Sequence, residues 1–70
     1  MMERQPVSSS TIVSVGYDAP SETLEIEFHK TGLYQYFNVP EVLYGAMMAA
    51  PSQGVFFNAN IKNQFPYERL

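Results

Sequence analysis

The stretch TLEIEFHKTGLYQYFN, residues 23–38, decides the fold. Thr23 to His29 alternates, with Leu24, Ile26 and Phe28 on one face and Glu25 and Glu27 on the other, the pattern of a half-buried strand. A break at Lys30-Thr31-Gly32 precedes a second strand, Leu33 to Asn38, so the two form an antiparallel hairpin. A three-residue loop with Gly32 in the left-handed region pairs His29 with Leu33, Phe28 with Tyr34 and Ile26 with Tyr36, which turns both tyrosines toward the core. A two-residue turn at Lys30-Thr31 would point them at Glu25 and Glu27 instead, but neither residue favours the positive φ that such a turn requires.

Upstream, Thr11 to Tyr17 is rich in β-branched residues and reads as a first strand, with Ile12, Val13 and Val15 as candidates for burial. Asp18-Ala19-Pro20-Ser21 supplies the turn into the next strand, because an aspartate side chain can accept from the backbone that follows it. Residues 1–9 hold Pro6 and the first serines of Ser8-Ser9-Ser10 without periodicity, and read as a flexible lead-in to a single domain over residues 10–70. Downstream, Pro40 suits the first position of a helix running to Ala50, whose apolar stripe is Val42, Leu43, Ala46, Met47 and Ala50. Pro51 stops that helix and Ser52 caps a second, with Phe57 and Ile61 one turn apart on its buried side. The closing segment Phe65 to Leu70 lies extended back across the domain. The predicted class is α+β: a three-stranded antiparallel sheet followed by two short helices (β-β-β-α-α), a single layer of helices on one sheet face. Its core is Leu24, Ile26, Phe28, Tyr34, Tyr36, Phe57 and Ile61.

Seventy residues leave room for one core, and ten aromatic residues help to make it dense. The charged share of 16% gives an unusually neutral surface. Absence of cysteine removes disulfides and suits a reducing compartment, no apolar run approaches the roughly 20 residues that span a bilayer, and the polar N-terminus does not read as a signal peptide. The chain therefore reads as cytoplasmic, with no membrane partner. A formal charge of −3 argues against a generally basic nucleic-acid binder. The charge is uneven, however: residues 1–28 set Arg4 against five carboxylates, whereas residues 29–70 carry Lys30, Lys62 and Arg69 against Glu41 and Glu68.

Several pieces in order resemble the KTSC domain: Ile12 with Val15-Gly16-Tyr17-Asp18, Leu24 to Phe28, Tyr34-Gln35-Tyr36, Val39-Pro40, Ser52 with Gly54 and Phe57-Asn58, Ile61-Lys62, and Phe65-Pro66-Tyr67. The resemblance covers about Ser10 to Leu70. That family is named for its occurrence at the C-terminus of some lysyl-tRNA synthetases and also occurs as single-domain bacterial and phage proteins. The sequence departs from the family at Phe65, where a tyrosine is common, and at Gln53 and Val55, where basic residues are frequent. The family is one of unknown biochemical role, and through its synthetase context the resemblance implies RNA binding.

Catalysis and cofactors find no scaffold. His29, the sole histidine, has no second histidine or cysteine with which to hold a metal and reads as a solvated turn residue. Glu25 and Glu27 neighbour each other on one pleated surface rather than flanking a cleft, and read as the wet face. Ser8, Ser9 and Ser10 have no base to activate them, and Gly16, Gly32, Gly45 and Gly54 assemble no phosphate loop. The chain reads as a non-enzyme. Two kinds of partner remain. Single-stranded RNA would use aromatic stacking, with Lys62, Arg69, Tyr67 and Lys30 as contacts. A protein partner or second copy would use Leu33 and Phe37, which the preferred register places beside the glutamates, either under the closing segment or as an exposed apolar patch.

Overall fold

The alternation of residues 23–28 forms the middle of a sheet that is wider than predicted. The computed structural model describes residues 2–70. In chain order its elements are β1 (Arg4–Pro6), β2 (Ile12–Asp18), β3 (Thr23–Phe28), β4 (Gly32–Tyr36), α1 (Glu41–Ala49), α2 (Gln53–Asn60) and β5 (Tyr67–Arg69). The sheet has five strands, not three, in the order β1-β2-β3-β4-β5, each antiparallel to its neighbours. The two additional strands are the edges. The lead-in contributes β1, paired with β2 through Arg4↔Gly16 and Pro6↔Ser14, and the closing segment contributes β5, paired with β4 through Tyr36↔Tyr67 and Tyr34↔Arg69. Pro6 is tolerated because an edge strand can leave one N–H side unpaired.

The hairpin register also differs. Phe28 pairs with Gly32, Ile26 with Tyr34 and Leu24 with Tyr36, two residues away from the predicted pairing. A slip of two preserves which side chains share a face, so the hydrophobic pattern is blind to it. Gly32 does adopt positive φ (97°), but at the first paired position of β4, so that His29-Lys30-Thr31 make the reversal. A second irregularity lies in β2, where the pairing shifts between Ile12 and Ser14. Ile12 and Val15 would face opposite sides of a regular strand; the extra residue, Val13, turns both inward, where each is fully buried.

The inner face of the sheet and the helices enclose Ile12, Val15, Leu24, Ile26, Tyr36, Val39, Met47, Phe57 and Ile61, with Phe28 and Tyr34 partly buried against them. All seven predicted core residues are thus in or against the core. Pro40 stands at the cap of α1 rather than as its first residue, its carbonyl accepting from Leu43 and Tyr44. The predicted α1 stripe is rotated: Val42 is 79% exposed, and Leu43, Tyr44, Met47 and Met48 face inward. Tyr44 supplies the reason, because its ring stacks on Tyr17 at 4.7 Å, while the Tyr17 hydroxyl donates to the Val39 carbonyl. Burial, then the nearby Glu22, Glu41 and Asp18, push the Tyr17 pKa up. Ala50 is extended before Pro51, and the Ser52 hydroxyl accepts from Val55 N–H at 3.2 Å, as the capping argument requires.

Ser9, expected in a loose segment, accepts from the N–H groups of both Thr11 and Ile12. No helix among the described residues is long and apolar enough to cross a membrane.

Candidate functional site

Where the inner face of β3, β4 and β5 meets the end of α2, aromatic side chains line a hollow of 310 Å³. Its walls are Phe28, Tyr34, Tyr36, Phe57 and Tyr67, and its rim includes Lys62. The position of each ring follows from the pairing. Tyr34 and Tyr36 are two apart on β4 and project together, with centroids 6.4 Å apart. Tyr67 stands opposite Tyr36 at 5.5 Å, and Phe57 meets Tyr36 edge-on at 5.2 Å and Phe28 at 5.3 Å. Edge-to-face packing of this kind fixes ring orientation.

Tyr36 forms the floor, 6% exposed, and Tyr67 the lip, 59% exposed. Burial, followed by the neighbouring Tyr34 and Tyr67, pushes the Tyr36 pKa up to about 12, so its phenol is neutral near pH 7 and can donate a hydrogen bond. Among the described residues, no side-chain hydrogen bond is made by Tyr34, Tyr36, Tyr67, Asn58, Lys62 or Asn63. The hollow thus combines π faces with donors and acceptors that have no side-chain hydrogen-bond partner among the described residues.

The charges are sorted by sheet face. No carboxylate lines the aromatic hollow, and Arg69 places its guanidinium 5.9 Å from the Tyr34 ring. On the opposite face Arg4 bonds Glu25 at 2.5 Å and Ser14 at 3.0 Å and approaches Glu27 at 3.7 Å, while Gln35 donates to Glu25 at 2.9 Å. This corrects the reading of Glu25 as wet: it is 4% exposed, because β1 brings Arg4 over it. Arg4 is the only cation with an ion pair among the described residues; Lys30, Lys62 and Arg69 have none.

The predicted contact residues divide into three groups. Lys62, Tyr67 and Arg69 converge on the aromatic hollow, brought there by α2 and β5. Lys30 lines an adjoining hollow at the hairpin turn. Leu33 and Phe37 do neither; both are half-buried, with the closing segment beside them, where Leu70 N–H donates to the Leu33 carbonyl and Phe37 N–H to the Pro66 carbonyl. The exposed large apolar residues are Val42, Val55, Tyr67 and Leu70 instead. His29 is exposed, its Nε2 lying 3.2 Å from the Ser9 carbonyl. Among the described residues no three histidine or carboxylate side chains gather as a metal site would require. Asn58, quoted only for the family resemblance, and Asn63 were not among the predicted contacts; the signal that would have marked Asn63 is its positive φ (66°), which sequence does not display.

A family model described as the KTSC domain matches residues 8–65. A crystal structure of a KTSC domain protein from Yersinia pestis superposes with a TM-score of 0.98 at 47% identity, covering 100% of this chain and 99% of that one. An uncharacterized protein of Stutzerimonas stutzeri is 40% identical over 99% of both chains. A lysine–tRNA ligase of Nostoc sp. is 39% identical over 61 residues, 87% of this chain but 11% of the ligase, so the chain spans about a tenth of the length of that relative.

Proposed function

The chain belongs to the KTSC domain family, and from that premise we propose that it is a non-catalytic module that holds single-stranded RNA in the aromatic hollow. One observation carries the reading: five aromatic rings, polar side chains without partners and the unpaired Lys62 and Arg69 share one site from which every carboxylate is absent. Unpaired bases present π faces that stack on tyrosine and phenylalanine, and the strand's phosphates need cations nearby. The match to part of a lysine–tRNA ligase supports the same ligand class, because that relative acts on RNA by its name. A cysteine-free chain suits a reducing compartment, and we place its action in the cytoplasm.

Titration of the protein with single-stranded RNA, followed by chemical shifts, tests this. Shifts should centre on Tyr34, Phe57 and Tyr67, and the double change Lys62→Glu and Arg69→Glu should abolish them while the folded spectrum persists, since both side chains are exposed. Two or three neutralised phosphates would give log affinity a slope of about −1.5 to −2 against log salt. RNA that moves no resonance at low salt removes the reading.

Val42 and Val55, exposed 79% and 69%, favour a second reading, an apolar surface for a protein partner or another copy of this chain. A molecular mass that rises with concentration in light scattering, and falls back in Val42→Ser, would support it.

A further inference from the structure

A second hollow of 320 Å³ lies at the β3–β4 turn, lined by Ser10, Thr11, Phe28, His29, Lys30 and Thr31. It shares Thr11, Phe28 and Thr31 with the aromatic hollow, so one wall separates the two. Their chemistry differs. The aromatic hollow is dominated by five rings, with Lys62 at its rim, whereas the second has Phe28 as its one phenyl ring and is otherwise polar: the Ser10 hydroxyl, His29, Lys30 and the shared hydroxyls of Thr11 and Thr31. None of those three hydroxyls takes part in a side-chain hydrogen bond among the described residues, and Lys30 has no ion pair there. No carboxylate lines this hollow either. The His29 ring has one nitrogen turned to the Ser9 carbonyl, which holds the turn against the segment carrying Ser10 and Thr11.

A nucleic-acid strand repeats in the same alternation, an aromatic base and then an anion. We infer that the second hollow is a phosphate subsite, and that the footprint on this chain is a dinucleotide step: one base among the tyrosines and the adjoining phosphodiester on Lys30, Thr31 and the Ser10–Thr11 hydroxyls. The inference rests on the RNA reading above and extends it, because it places the phosphate relative to the base and gives Lys30 a role separate from Lys62 and Arg69. Hydroxyl and ammonium donors to a phosphate are charge-assisted, the stronger class of hydrogen bond.

Two small ligands separate this inference from its premise. Adenosine carries a base on its ribose without phosphate, and the dinucleotide ApA adds one phosphodiester together with a second nucleoside, so the Lys30→Glu variant isolates the phosphate's share. Both should shift Phe57 and Tyr67, and ApA alone should also shift Lys30 and Thr31 and bind about tenfold more tightly, the gain from one net charge-assisted contact. Lys30→Glu should bring the ApA affinity down about tenfold, to that of adenosine. Equal affinities for the two ligands, or an ApA gain that survives Lys30→Glu and disappears in Lys62→Glu, would overturn the phosphate subsite while leaving the RNA reading in place. If neither ApA nor longer single-stranded RNA moves any resonance, both fall together.

Discussion

The guanidinium of Arg4 lies 2.5 Å from a carboxylate oxygen of Glu25, joining the first strand of the sheet to the third across the top of the second. A carboxylate that is 4% exposed must be paired or pay heavily for its lost hydration. Gln35 supplies one hydrogen bond to it and Arg4 supplies the charge.

Arg4→Ala should therefore lower stability by about 2 kcal/mol, more than a surface ion pair is worth, because Glu25 is left buried with one neutral donor. The double change Arg4→Ala and Glu25→Gln should recover part of that loss. Denaturant midpoints of Arg4→Ala, Glu25→Gln, the double variant and the unmodified chain give the coupling directly, and equal midpoints for Arg4→Ala and the unmodified chain would show the pair to be dispensable.

Gly16 admits the same segment by a different means. A Cβ built there would meet the Glu3 carbonyl oxygen at 2.6 Å and the Arg4 Cγ at 3.0 Å, and the nearer contact is backbone. Gly16→Ala should displace β1 and cost about 1–3 kcal/mol, the range for overpacked sites. Amide exchange is the sharper measurement: the Val7 N–H, which donates to the Val13 carbonyl at the β1–β2 junction, should lose protection while the β3–β4 ladder keeps its own.

Tyr36 joins stability to pH. Tyr36→Ala should cost about 3 kcal/mol or more, the range for removing a large buried aromatic. Because burial raises the phenol from its usual 10.0 to about 12, the folded state holds this proton more tightly than the unfolded chain. Its contribution is complete below pH 10 and is lost as pH rises through about 12. Tyrosinate absorbance should lose its component near pH 12 in Tyr36→Phe, while the late titration of Tyr17 persists.

Ser52→Ala removes the side-chain N-cap of α2 and should cost about 1 kcal/mol. Asparagine at the same position should restore most of it, since both can accept from the Val55 N–H. A circular-dichroism melt resolves the difference.

The faces of the central hairpin were legible in the sequence because a side-chain period of two links Leu24, Ile26, Tyr34 and Tyr36 whatever the loop. The exact pairing was not, since a shift of two residues leaves that link unchanged. β1 and β5 carry no signal of their own. Three residues are too few to display alternation, and they are strands because a neighbour offers a ladder. From that one omission follow the misread Glu25, whose partner lies 21 residues earlier, and the unseen convergence of Tyr67 and Arg69 on Tyr34. Caps and breakers, which act within three or four residues, were read correctly at Pro51 and Ser52. Leu33 and Phe37 were placed on the right face, but whether a neighbour lies beside them is a tertiary fact.

The connection from Tyr36 to Tyr67 contains both helices, whereas the three other strand pairs close through turns or a short segment. Loop-closure entropy makes that last pairing the costliest to form, and all three residues of β5 are exposed, so little apolar burial opposes its release. The final strand is therefore the natural place for subglobal fraying. When it frays, the tyrosine lip and the guanidinium leave the hollow together, and the rings on β4 and α2 remain with no lid. A ligand seated there would repay the closure, so that occupancy should register as slowed solvent exchange at the amides of residues 67–69, at the far end of the chain from the strands that hold the core.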